Sequence, residues 1–393
     1  DHQSGRGGNT HHSDQCRNQK TPMTLKCSVV IRSLMSMVVL FTTTFHASAQ
    51  VDSRRVEAVA GLLEELIETY GVSGDEQRVR AVVERHLPAW AKPRVDESGN
   101  LWVRAGQGDP VVVFIAHMDE VGFQVTELLD DGSLQIRQRG GFYPHLWEAT
   151  PAFVHTAETR VPGIFMPRDE HQVTPTHRPP TGFRVSVGMS SRTATEALGV
   201  RIGDTVTNPK EFVRLAGTRA TARSFDDRAG STAQLVALQS LDLNALDHEV
   251  IFIWSTEEEV GLVGATAVAD ELGFTPARVH AVDTFVSSAA PVDRQNFAFT
   301  PLGQGPVARG LDSSSVTPRA IIDGLLELAD GHNLPLQLGA TNGGTDGTGF
   351  RDWGIPHMPI GWPLRYSHSP IELIDLRDLV VLSDLIQLIA EEW

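Results

Sequence analysis

The residues able to do chemistry gather in five short segments. The first is Ala116-His117-Met118-Asp119-Glu120-Val121-Gly122-Phe123, just past an apolar run at 111–115. The others are Ser224-Phe225-Asp226-Asp227-Arg228, Glu257-Glu258-Glu259-Val260-Gly261, Val282-Asp283-Thr284 and Arg365-Tyr366-Ser367-His368-Ser369-Pro370. Each holds a His or a carboxylate near the end of an apolar run or in a loop. Open α/β sheets place their chemistry at such strand ends. The His117-x-Asp119 spacing suits a metal-bound imidazole steadied by a carboxylate. Two His and several carboxylates, without Cys, suit Zn, Co or Mn. Acidic groups outnumber imidazoles, which favours two ions sharing a carboxylate over one structural Zn. Two such ions activate a water and hold a reacting carbonyl. A carboxylate that is not a ligand must then accept the water's proton. Adjacent Glu258 and Glu259 offer that division, one base and one ligand.

Neighbouring acids have plainer roles. Asp227 caps the following helix or pairs with Arg228, and Glu257 suits the positive end of a helix. Gly303-x-Gly305-x-x-Ala308 imitates a dinucleotide fingerprint, but Pro306 and the lack of a preceding strand–helix context reject it. P-loop, HExxH and GxSxG patterns are missing. His86, His145, His248 and His280 are isolated and read as structural.

The elements that must position these segments follow from hydrophobic periodicity. Apolar residues at helical spacing predict helices over 54–70 and 75–87, then over 229–241, 261–272, 318–330 and 376–390. Apolar runs at 101–103, 111–115, 249–254 and 279–282 predict buried strands. Their alternation implies an α/β fold, a mainly parallel sheet with helices on both faces. From 124 to 218 the texture changes to short alternating runs, Gly140-Gly141 and a Pro-rich loop at 167–180. That predicts an inserted, small, β-rich, barrel-like domain. The expected organisation is therefore a catalytic domain of residues 50–123 and 219–393, interrupted by the insert 124–218.

Residues 1–49 read as upstream sequence and a secretory signal. Lys26 and Arg32 precede an apolar segment over 34–45, then Ala47-Ser48-Ala49-Gln50. Cleavage is expected after Ala49, with Met23 or Met35 as the start, giving a secreted or periplasmic protein. Cys16 and Cys27 both lie in this leader, which excludes disulfides and thiolate chemistry from the mature chain. The whole chain carries −16. Without the five basic and two acidic residues of the leader, the mature part carries −19. Nucleic acid and anionic membrane are excluded as partners on that charge.

AHMDEVGF, SFDDRAG, EEVGLVGA, Asp283 and RYSHSP occur in this order at compatible spacing. With GVSGDE at 71–76, DESGNLW at 96–102, GVRIGD at 199–204 and GGTDG at 343–347, they resemble the glutamyl, lysyl and deblocking aminopeptidases. This is metallopeptidase family 42, which includes the tetrahedral aminopeptidases. The resemblance runs from about residue 56 to the end. It implies a metallo-aminopeptidase with two divalent metals per subunit, Zn first, Co or Mn otherwise. His117, Asp226, Glu259, Asp283 and His368 would be the ligands, with Asp226 bridging. His117 and Asp283 would complete one site, Glu259 and His368 the other. Glu258 would be the general base and Asp119 the carboxylate behind His117. Thr345, Asp346, Arg365 and Tyr366 are candidate substrate contacts. Peptides are the expected substrates, and a homo-oligomer of two to twelve subunits, built through the insert, the expected assembly. The leader and the odd loop Arg168-Asp169-Glu170-His171 depart from the family pattern. Two alternatives use similar groups, a glycoside hydrolase and a carboxypeptidase or deacylase of related two-metal chemistry.

Overall fold

Strand Val111–His117 is buried at every position, and the sheet is organised around it. Val112, Phe114 and Ala116 enter one core, Val113 and Ile115 the other. A strand whose alternate side chains are all apolar must be covered on both faces. Here helices Ser53–Glu68, Phe225–Ser240 and Leu376–Glu392 cover the first face, and Val263–Leu272 the second. The computed structural model describes residues 51–168, 182–287 and 299–393. The leader and most of the 167–180 loop lie outside these described residues.

The central sheet has five strands, in the order Arg94–Val95, Leu101–Gly106, Glu249–Ser255, Val111–His117, Arg278–Ala281. The expectation of a mainly parallel sheet is corrected: the sheet is mixed. Val111–His117 is parallel to both its neighbours, whereas the first two pairings are antiparallel. Gly99-Asn100 turns the chain back on itself, so Leu101–Gly106 runs against Arg94–Val95. It then pairs Glu249–Ser255 in the same antiparallel sense. The three parallel strands still end on one edge, which carries His117, the 257–259 turn and Asp283.

Helix Ser53–Glu68 starts at Asp52, whose side chain accepts the Arg54 amide at 2.9 Å. Such a cap contributes about 1 kcal/mol. Val56, Val59, Leu63, Leu66 and Ile67 form its buried stripe. Among the described residues no helix is long and apolar enough to cross a membrane.

Six strands between Gly122 and Thr207 close into a barrel. Val125, Ile136, Val154, Val185 and Val206 fill it with the aromatic rings of Phe123, Phe142, Trp147, Phe165 and Phe183. Phe123 meets all four of the other rings at centroid distances of 5.1–5.4 Å. The following short strand, Val213–Arg214, pairs with Arg219–Ala222 outside the barrel. All of this belongs to one compact unit, Ala47–Trp393.

Candidate metal centre

His117 is the last residue of its strand and is 2% exposed. Its amide donates to Asp227 Oδ2 at 2.9 Å, and its carbonyl accepts from Ser231 Oγ at 3.0 Å. Helix Phe225–Ser240 therefore grips the strand end from both sides. Asp227 also accepts the Gly230 amide at 3.1 Å, fulfilling the capping role read from sequence. The imidazole lies between two carboxylates. Nδ1 is 3.2 Å from Asp119 Oδ1, and Nε2 is 3.2 Å from Asp226 Oδ1.

Asp226 is the centre of the constellation. Its second oxygen, Oδ2, lies 3.1 Å from Nε2 of His368. One carboxylate thus spans two imidazoles brought from positions 251 residues apart. Glu259 Oε1 is 3.2 Å from the same His368 nitrogen, yet it is buried and makes no aligned hydrogen bond. His368 is held from behind: its Nδ1 lies 2.7 Å from the Gly141 carbonyl, and its amide donates to Glu372 Oε1. Ligand atoms of His117, Glu258 and Asp283 converge within 4.8 Å, as do those of His117, Asp226 and Glu259.

Asp119 works behind this front. Oδ2 accepts Ser73 Oγ at 2.6 Å, and its two oxygens accept the amides of Glu258 and Glu259 at 3.0 and 3.2 Å. Asp119 therefore fixes His117 and the Glu258–Glu259 turn together. Glu76 accepts the amides of Gly74 and Glu257, supporting the same turn from outside.

The electrostatics are those of an unneutralised acidic pocket. Burial, reinforced by Asp283 and Glu259, drives Glu258 well above the carboxylate range, with His117 opposing. Burial and Asp226 raise Asp283 to about 6. Burial and the Asp226 charge raise Glu372 to about 8. The two imidazoles move the other way. Burial alone would depress them, but the carboxylates around each outweigh it and hold both well above 6.5. Facing buried carboxylates that cannot all ionise and lack a Lys or Arg at their centre form a donor set suited to a divalent cation.

Beside these groups opens a cavity of about 370 Å³. Asp226, Glu258, Glu259, Asp283 and His368 line it on one side, Thr284, Val286, Arg309 and 342–344 on the other. The four candidate substrate contacts fall elsewhere. Thr345 is fully buried against His357, and Asp346 accepts from Ser255 Oγ beneath the site. Arg365 continues a backbone pairing with Leu373, and Tyr366 turns the chain at φ +63°. None of the four lines the cavity; Ser367 does. Sequence reading missed Glu76, Glu372 and Arg309. Glu76 and Glu372 stand within sight of recognised motifs, whereas Arg309 has no local signal.

The M42 glutamyl aminopeptidase family model matches residues 99–385. FrvX of Escherichia coli (strain K12) is 30% identical over 336 residues, 83% of this chain and 93% of that protein. The lysyl aminopeptidase of Pyrococcus furiosus is 29% identical over 346 residues, 84% of this chain and 96% of that one. In structure, the TET1 peptidase of Pyrococcus horikoshii superposes with a TM-score of 0.78 at 30% identity, over 85% of this chain and all of that one. That protein is described as assembling into a tetrahedron or a large octahedral shell. A match across most of the chain, on the segments that build the acidic pocket, places this protein among the hydrolytic peptidases of the M42 family.

Proposed function

We propose that the chain is a two-metal aminopeptidase removing N-terminal residues from peptides. The observation that carries this reading is Asp226, one carboxylate reaching both imidazoles, His117 at 3.2 Å and His368 at 3.1 Å. His117, Asp226 and Asp283 would hold one ion, and Asp226, Glu259 and His368 the other. Bound there, two divalent ions supply Lewis acidity toward a peptide carbonyl and a water of lowered pKa. Zn is the first choice, with Co or Mn as alternatives.

The remaining work belongs to the chain. Glu258 takes a proton from the attacking water and returns it to the leaving amine. Its backbone amide is pinned to Asp119, and its carboxylate is 3.9 Å from His117 Nε2. A carboxylate whose pKa is raised by burial is suited to both transfers. Asp119 keeps His117 Nδ1 engaged, so Nε2 faces the pocket. A glycoside hydrolase needs only two carboxylates and would leave both imidazoles at Asp226 without a task.

The barrel is proposed as the oligomerisation element of a homo-oligomer, in line with the assemblies of the TET relatives. The leader is proposed to be removed after Ala49, delivering the enzyme outside the cytoplasm.

The test is hydrolysis of aminoacyl chromophores by metal-stripped protein, with Zn, Co and Mn restored singly. Glu258→Gln is expected to keep its metal and to lose turnover by about 10²- to 10⁴-fold. Full activity in metal-free protein would sink the reading.

A further inference from the structure

The segments that carry Asp226 and His368 are held in backbone conformations their own residues disfavour. Tyr366 has φ +63° and His368 φ +57°, and Ser224, just ahead of Asp226, has φ +69°. Residues other than glycine seldom adopt this left-handed backbone, and it persists only where neighbouring groups impose it. Both segments therefore need a restraint from outside themselves.

One ladder delivers the two ligands. Strand Arg219–Ala222 runs antiparallel to Glu372–Asp375, with Ala222 opposite Glu372. From that pair the chain runs forward to Asp226 on one strand and backward to His368 on the other. Both ligands thus leave the same end of the ladder. The ladder fixes where the two segments start and leaves their separation beyond it open.

The Glu372 side chain closes that opening. Oε1 accepts the His368 amide at 2.8 Å, and Oε2 accepts the Asp226 amide at 3.3 Å. One carboxylate so joins the backbones of the two residues whose side chains meet at 3.1 Å. Glu372 is 1% exposed, does not line the cavity and belongs to neither group of converging ligand atoms. Ser367 Oγ also reaches Asp226 Oδ2, but at 3.5 Å it is too long to hold the segments by itself. His117 has separate supports in Asp119, Asp227 and Ser231.

On the two-metal reading, we infer that Glu372 is a positioning residue that sets the distance between Asp226 and His368, and through it the affinity of the ion held by Asp226, Glu259 and His368. Without its carboxylate two buried backbone N–H groups lose their acceptor, and the left-handed loop relaxes, taking the imidazole with it. The other ion keeps His117 and Asp283 and shares only Asp226, so it is affected less.

The experiment is calorimetric addition of Zn to metal-stripped protein. His368→Ala serves as the reference that identifies which binding step belongs to the His368 ion. Glu372→Gln keeps one acceptor oxygen and turns an N–H₂ toward the second amide, and Glu372→Met keeps neither oxygen. The His368 step is expected to weaken about 10-fold in Glu372→Gln and up to about 100-fold in Glu372→Met. The other step should change less than about threefold. Unchanged Zn affinities in Glu372→Gln overturn the inference. So does an equal loss at both steps, which is the mark of a general structural role. If Glu372→Met does not fold, Glu372→Gln decides alone. An unaltered protein that binds fewer than two ions overturns the two-metal reading instead, so the two failures are distinguishable.

Discussion

Glu120 is completely buried and holds three buried cations. Lys210 Nζ is 2.8 Å from Oε2, Arg223 Nη1 2.8 Å from the same oxygen, and Arg228 Nη2 3.6 Å from Oε1. Ser224 Oγ and the Gly71 amide also donate to it, at 2.6 and 2.8 Å. The cations hold this carboxyl well below its usual range despite burial. The site therefore carries an excess of positive charge even in the native protein. Glu120→Gln removes the anion that all three cations share and turns an amide N–H₂ toward them. Breaking a buried pair by removing one partner costs about 3–5 kcal/mol. Against a typical total of about 5–15 kcal/mol, that is a large share of the stability.

One cation can relieve the strain. Arginine keeps its proton, but burial and the two guanidiniums hold Lys210 well below 10.5, with Glu120 opposing. In the variant that opposition is gone and Lys210 sheds its proton more readily. The unfolded chain then binds more protons than the folded one below pH 10.5, so stability must rise with pH. Urea unfolding of the metal-loaded protein is expected to show a loss of about 4 kcal/mol at pH 7. Adding Lys210→Met should recover part of that loss. A Glu120→Gln loss below about 1 kcal/mol would refute the argument.

Two further outcomes are expected. In Gly140→Ala, φ +96° and a Cβ 2.7 Å from Val121 Cγ1 cost about 1–2 kcal/mol. The shift propagates to the Gly141 carbonyl at His368, so calorimetry should show weaker Zn binding; unchanged affinity would show that this carbonyl does not set the imidazole. His280 is buried against Phe114 and Trp393, and burial lowers its pKa to about 3. The unfolded chain takes up that proton first, near 6.5. This contribution is whole above pH 6.5 and is lost as pH falls toward 3, about 5 kcal/mol in all. His280→Phe should flatten the acid limb of the stability profile, and an unchanged slope would assign that limb to other groups.

The strand ends that carry His117, the 257–259 turn and Asp283 were legible because a fully apolar run and the polar residue that stops it are local features. Strand direction was not. The run Leu101-Trp102-Val103 is as apolar as the runs of the parallel strands, and the hairpin at Gly99-Asn100 that reverses it says nothing about the next partner. Burial in the glycine-rich loop was not legible for a similar reason. Thr345 and Asp346 look like turn residues, but Ser255 and His357, distant in sequence, close over them. The buried charges were least visible. Lys210, Arg223 and Arg228 meet Glu120 across 90 to 108 residues, and each alone reads as a solvated surface group.

That long-range chemistry changes how the barrel is understood. Read from composition, residues 124–218 form a detachable module. In the fold, the barrel's two connections to the central sheet meet at Glu120 and Lys210, ahead of its first strand and after its last. The end of its second strand reaches into the site. Arg139 donates to the Ser73 carbonyl and to Glu257, whose backbone sits at φ +51° immediately before Glu258. Two residues further on, Gly141 supplies the carbonyl at His368. A left-handed Glu costs about 1–2 kcal/mol, so the contact that retains it also determines where the base points. The barrel is thus part of the site's supporting shell, and movement of the barrel must register at both Glu258 and His368.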